Sequence, residues 1–317
     1  MGFGHSHPQD GRHSHDWGER VDQALTDSAA GIRAVKTSLV ALIATAVTQC
    51  VIVAFSGSVA LLADTVHNFS DALTAAPLWI AFALSRRAGG GRYTYGLGRA
   101  EDLAGLFVVA VIAASAAVAA VEAVRRLVTP APISHLPWVA AAGVVGFLGN
   151  ELVALYRIRV GATIGSAALK ADGVHARVDG LTSLAVVAGA GGVAAGFPAA
   201  DPIVGLLIAV AIIALLAVAA RDVFRRLLDG VDPELIAAAQ QALAGQPGVE
   251  SVRRVRMRWL GHRLLADVEL DIDPSRSLAE AHRIAHDAEH ALTHAVPKLA
   301  EATVHAYPAH AKSGQQT

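Results

Sequence analysis

The 317-residue chain carries 26 Lys and Arg against 27 Asp and Glu, with 54% hydrophobic residues and a mean hydropathy of +0.46. That apolarity exceeds the soluble norm and makes a membrane protein the first expectation. The near-neutral charge, with basic residues scattered around apolar blocks, gives no reason to expect a nucleic-acid partner, and the single Cys50 excludes a disulfide framework and a thiolate metal cluster.

Residues 1–30 are polar and contain His5, His7, His13 and His15. No signal peptide is evident there, and the segment is expected to be a disordered cytoplasmic leader. Its histidine tract either collects metal weakly or is a solvated tail. A span needs about 20 mostly apolar residues, and the windows 35–56, 59–84, 103–124, 137–156, 167–192 and 202–220 meet that requirement. Six transmembrane helices within 31–228 follow. Arg33 and Lys36, Arg86, Arg87, Arg92 and Arg99, Arg157 and Arg159, and Arg221, Arg225 and Arg226 fall on one side, while only Arg125 and Arg126 fall on the other. The positive-inside tendency then places both termini in the cytoplasm.

Residues 229–310 change character and read as a cytoplasmic α+β domain. VDPELIAAAQQALAG is a helix with Pro233 in its first turn and Gly245 near its end. VESVRRVRMRWL and HRLLADVELDID alternate like strands joined around Gly261. Ser277 with Glu280 opens a capped helix, and EATVHAYP is a third strand. The order αββαβ predicts helices on one face of a three-stranded sheet, a ferredoxin-like arrangement. The tail 311–317 is expected to be disordered.

Two stretches inside the apolar windows match: ADTVHNFSDALT at 63–74 and ADGVHARVDGLT at 171–182. Positions i and i+4 of a helix share a face, so His67 and Asp71 point together, as do His175 and Asp179. The second and fifth spans run antiparallel, so the repeat is the inverted kind that builds a site near the bilayer midplane. Two imidazoles and two carboxylates suit tetrahedral zinc, whereas calcium and magnesium take more oxygens. Isolated polar residues in spans commonly hydrogen-bond between helices. A matched pair of H-x-x-x-D patterns points instead to a metal site, because intramembrane ionisable groups are costly without a functional partner. Asp64 and Asp172, each three residues before a histidine, are read as orienting the imidazoles from outside the ligand set. Gln49 and Asn150 are read as interhelical hydrogen-bonding groups.

These paired motifs, with RYTYGLGRAEDL after the second span, ADPIVGLLIA in the sixth, LLDG after it and the αββαβ tail, resemble the cation diffusion facilitator family of zinc-transporter-type metal/proton antiporters. The resemblance covers nearly the whole chain after residue 30. It implies a homodimer in the cell (inner) membrane, one transport site per protomer, export of divalent metal against inward protons, and a metallochaperone-like cytoplasmic domain. His67, where broader-specificity relatives carry Asp, resembles the zinc-preferring branch; Co2+ and Cd2+ remain plausible substrates. The resemblance also implies an ion pair between Arg99 and Asp229 at the membrane surface. The loop RRAGGGRYTYGLGRAED has Gly, Tyr and Leu where some relatives carry a peripheral metal site, so no metal is expected there. The binuclear tail site of some relatives is eroded, with Arg253, Glu269 and Tyr307 near ligand positions and His282 and His305 retained. The row His282, His286, His290 and His294 is either a set of zinc-binding pairs or a solvated helix face. A regulatory metal at His282, His286 and His305 is the corresponding expectation.

The leading expectation is therefore a Zn2+/proton antiporter that works on metal ions, protons and membrane lipid and is not an enzyme. A broader Co2+/Cd2+/Fe2+/Mn2+ exporter is the alternative. An intramembrane metalloenzyme would need only two His and a carboxylate, but the chain has no HExxH and no general base outside the ligand set. A haem held by His67 and His175 leaves Asp71 and Asp179 without purpose.

Overall fold

The structure, a computed structural model, describes residues 13–56, 75–87, 89–128, 136–197 and 200–309. In chain order these form α1 (His13–Ser56), α2 (Ala75–Ser85), α3 (Arg99–Val128), α4 (Leu136–Ile164), α5 (Ala167–Ala194) and α6 (Ala200–Leu227). The C-terminal segment follows as α7 (Pro233–Ala244), β1 (Val249–Leu260), β2 (Arg263–Ile272), α8 (Leu278–Ala295) and β3 (Leu299–Pro308). Among the described residues, Leu25–Ile52, Arg99–Val118, Pro137–Ile164 and Ile203–Leu227 are long and apolar enough to cross a bilayer. The 28-residue α5 is long enough as well, but Lys170, Asp172, Arg177 and Asp179 interrupt its apolar run.

The helical domain inverts the soluble pattern. Val40, Val47, Leu152, Leu207, Val210 and Val218 face outward, whereas Gln49, Asn150, Arg157, Asp172, His175 and Asp179 are buried. Hydrocarbon outside removes the cost of exposed apolar groups, and polar groups go inward where partners exist. Gln49 Nε2, for example, donates to the Ala142 carbonyl on α4 at 3.2 Å. Glycine lets the helices touch: a Cβ at Gly31 would lie 2.7 Å from the Phe82 ring, and one at Gly143 2.5 Å from Val187 Cγ2. Small residues at such crossings are the usual route to close packing without a hydrophobic driving force.

The cytoplasmic domain is the expected αββαβ unit. The sheet order is β1-β2-β3, with β1 antiparallel and β3 parallel to β2. Ala239 and Leu243 of α7 and Ala288 and Leu292 of α8 share one core with Trp259, Leu264, Val268 and Leu270 of the sheet. Ser277 and Glu280 form a full capping box, and the Ser277 backbone N–H and hydroxyl hold the Glu280 carboxyl below its ordinary range.

Two expectations change. Of the leader expected to be disordered over 1–30, residues 1–12 lie outside the described residues and 13–30 are helical; near the end of that stretch Lys298 Nζ donates to Asp27 Oδ2 at 2.8 Å, and Ser28 Oγ lies 3.3 Å from His262 Nε2. The fourth span, expected to end at 156, runs to Ile164 and carries Arg157 inside the helix.

The turn between β1 and β2 plugs into the membrane domain. Leu260 pairs with Arg263 across the two-residue turn Gly261–His262, and Gly261 has φ 61°, the left-handed geometry such hairpins require. The Gly261 N–H donates to Asp102 Oδ2 at 3.3 Å, and His262 Nδ1 lies 2.8 Å from Glu101 Oε2, with both of the latter side chains fully buried. Arg226 Nη1 donates to the carbonyls of Gly165 and Gly261, and its guanidinium stacks 4.2 Å from the Trp259 ring. A Cβ on Gly261 would meet Glu101 Oε2 and the Gly98 carbonyl at 2.9 Å, whereas one on Gly91, also at positive φ, meets nothing. Gly261→Ala should therefore undock the hairpin, and Gly91→Ala should not. Limited trypsin digestion of the full-length protein in detergent checks this: release of the cytoplasmic domain should be faster, by several-fold, in the first variant alone.

Candidate metal site

Asp172, His175 and Asp179 occupy positions i, i+3 and i+7 of α5, one stripe of a helix. The stripe faces inward, with the three residues 0%, 2% and 5% exposed. His175 Nδ1 lies 3.7 Å from Asp179 Oδ1, too long for a hydrogen bond. Neither ring nitrogen of His175 has a hydrogen-bond partner among the described residues. A buried imidazole in that state is unusual, and its neutral form offers a lone pair to a cation beside a carboxylate. The other half of the expected set, His67 and Asp71, and the companion Asp64 lie outside the described residues.

Asp172 does not orient the His175 ring. Its Oδ2 lies 2.9 Å from Arg157 Nη1 on α4, and the two side chains are 0% and 2% exposed. One turn away Arg177 makes a bidentate pair with Glu151, at 2.7 and 3.1 Å. Two ion pairs thus fix the register of α4 against α5. Arg157 was expected in a cytoplasmic loop and contributes nothing to a surface charge count. The signal that could have found it is the length of the apolar pattern around it, which continues to Ile164.

The expected surface pair is present as a contact: Arg99 Nη2 donates to Asp229 Oδ1 at 2.6 Å. Asp229 adopts φ 57° at the end of α6, where its N–H bonds the Arg226 carbonyl and the Gly230 N–H bonds the Arg225 carbonyl. That is a Schellman ending with aspartate where glycine is usual. The chain accepts the steric cost and gains a carboxylate aimed at α3.

The cytoplasmic histidines do not converge. Among the described residues no three His, Cys, Asp or Glu side chains are grouped to hold a metal. His282 is exposed on α8; His286 stacks edge-on against His290 at 4.7 Å and lies 3.7 Å from Glu289. His305 is on β3, its ring 4.6 Å from that of Tyr307, which also carries the Arg253 guanidinium at 4.5 Å. Arg253 in turn pairs with Asp271 at 2.6 Å. His282, His286 and His305 are therefore not gathered into one regulatory site among the described residues. Sequence reasoning also missed the socket residues Glu101, Asp102, Arg226 and His262, whose partners are distant in the chain.

Comparison with known proteins fixes the family. Residues 35–228 match the cation efflux transmembrane domain, and residues 231–309 match the cytoplasmic domain of cation efflux proteins. The chain belongs to the cation diffusion facilitator family. A probable cation efflux system protein of Mycobacterium tuberculosis (strain CDC 1551 / Oshkosh) is 68% identical over 297 residues, 94% of this chain and 90% of its own. Magnetosome protein MamB of Paramagnetospirillum magneticum is 24% identical over 82% of this chain and 88% of its own, and metal tolerance protein 2 of Oryza sativa subsp. japonica is 26% identical over 79% and 71%. Among solved structures, a nickel form of a MamM CTD aligns with 25% of this chain and 99% of its own at 22% identity and TM-score 0.24. This facilitator is therefore a multi-pass membrane transporter of metal cations and not an enzyme.

An exposed ion pair is worth about 0–1 kcal/mol, so Arg99→Asp should barely move thermal stability. If the contact with Asp229 serves transport, metal flux in proteoliposomes should fall several-fold in Arg99→Asp and recover in part when Asp229→Arg is added. Additive defects would leave the contact without a role.

Proposed function

We propose that this facilitator exports Zn2+ from the cytoplasm in exchange for protons, as a homodimer in the cell membrane with both termini cytoplasmic. The transport site consists of His67, Asp71, His175 and Asp179. The observation that carries this reading is the buried His175, neither ring nitrogen hydrogen-bonded among the described residues, on one stripe with Asp179 in a chain of the cation efflux family. Two imidazoles and two carboxylates match the ligand preference of zinc, and two negative charges neutralise one divalent cation. The dimer, the zinc preference of His67 and the Arg99–Asp229 role rest on the family resemblance.

Proton coupling follows from the ligand chemistry. Imidazole ligates only when neutral and carboxylate best when ionised, so a metal ion must displace protons to bind. When the metal leaves, the atoms that held it are free to take up protons in its place. Histidine is well placed to carry a proton, its ordinary pKa of about 6.5 lying near working pH. Zinc and protons therefore compete for one set of atoms.

The test is zinc flux into proteoliposomes at varied pH gradients. His175→Ala and Asp179→Ala should each abolish zinc flux and zinc-driven proton movement together, by about 100-fold or more. Dissipating the gradient should slow the intact protein. Full proton-coupled flux in either variant would refute the site, and zinc flux indifferent to the gradient would refute the exchange. His67→Asp should raise cadmium and manganese flux relative to zinc; an unchanged ratio would remove His67 from the selectivity argument.

A further inference from the structure

The α5 stripe carries one more acid than a tetrahedral zinc site needs. Asp172 is three residues before His175 on the same face, and a carboxylate one turn from a metal ligand is within reach of the metal it holds. Zinc settles at four ligands, whereas manganese is at home with six, most of them oxygen. The coordination number available to the cargo therefore depends on what Asp172 is doing.

Arg157 occupies it. The pair spans α4 and α5 at 2.9 Å with both side chains buried, and Gly173 permits the approach: a Cβ there would lie 2.7 Å from Ile158 Cγ1 and 3.1 Å from Arg157 Cβ. The Arg177–Glu151 pair locks the same two helices in register. Yet the contact is not an aligned one. Neither Asp172 oxygen has a hydrogen-bond partner among the described residues, nor do Nε and Nη2 of Arg157. The carboxylate is held by charge alone, with its lone pairs unspent. Removing the guanidinium leaves a buried, uncompensated anion, which a cation held at His175, one helical turn away, would compensate.

We propose that Arg157 is a specificity-determining positioning residue: it sequesters Asp172 from the transport site and so keeps the cargo four-coordinate, favouring zinc over cations that seek additional oxygens. This rests on the assignment of His175 and Asp179 as ligands. It predicts a change of selectivity, and not merely of rate, when the clamp is opened.

The experiment measures Mn2+ and Zn2+ flux in proteoliposomes of the full-length protein. Arg157→Met should raise the Mn2+/Zn2+ ratio roughly tenfold or more, the scale on which groups around a metal site act. Arg157→Gln, which keeps a polar side chain, should shift the ratio the same way if the methionine variant does not reach the membrane. Arg157→Lys keeps the charge and should retain the wild-type ratio. The neutral pair Arg157→Met with Asp172→Asn should transport zinc at the wild-type ratio, because no carboxylate is left to recruit. A ratio unmoved in both neutral Arg157 variants overturns the proposal, as does a shift that persists in the double variant, or a folded double variant without zinc flux, which would make Asp172 a ligand already. His175→Ala serves as the reference. If it retains zinc flux the ligand assignment itself fails; if it loses flux while the Arg157 variants keep their ratio, only the clamp fails.

Discussion

Ionisable groups do not enter hydrocarbon without compensation, and α5 is organised around that cost. Lys170, Asp172, Arg177 and Asp179 interrupt a helix that otherwise belongs in a bilayer. Three of them meet an opposite charge: Lys170 meets Asp222 at 2.8 Å, Asp172 meets Arg157 and Arg177 meets Glu151. His175 is the exception, buried with both nitrogens unused among the described residues. The surrounding pairs show that charged side chains on this helix are met by opposite charges, even where, as at Asp172 and Arg157, hydrogen bonds are not completed among the described residues. The imidazole next to Asp179 is the observation on which the proposed cation site rests.

The same economy explains the helix crossings. Ion pairs between α4 and α5 require close backbones, and Gly143, Gly173 and Gly180 supply the space. Outside the pair the surface is aliphatic, with Leu152 and Leu207 among its most exposed residues. At the cytoplasmic end the constraint changes from lipid to water, and the hairpin turn at Gly261 and His262 seats among Ser28, Glu101, Asp102 and Arg226. The membrane domain and the sheet are thereby joined by buried polar contacts as well as by the exposed Arg99–Asp229 pair. Those contacts fall at the starts of α3 and of the membrane-crossing part of α1.

Much of this was legible in the sequence. The αββαβ order, the capping box at Ser277 and the turn at Gly261 depend on local periodicity and turn chemistry, which short windows contain. The His175–Asp179 stripe was legible because i and i+4 spacing fixes a shared face. What was not legible depends on partners far apart in the chain. Arg157 reads as a loop charge until α4 is seen to continue to Ile164 and Asp172 is seen to face it. Glu101 and His262 are separated by 161 positions, and neither has a local signature. The row of histidines on α8 carried a false promise: helical spacing puts rings near one another, but His305 arrives on β3 beside Arg253 and Tyr307, and no cluster forms among the described residues.

X-ray absorption at the zinc edge reads the ligands around the bound metal itself. The sample is zinc-loaded full-length protein in which the leader histidines and His282, His286, His290, His294 and His305 have been replaced. The account predicts four nitrogen and oxygen ligands at about 2.0–2.1 Å, with outer-shell scattering from two imidazoles that falls to one in His175→Asn. A spectrum unchanged by that substitution would contradict the assignment of the α5 stripe as the place where the metal is held.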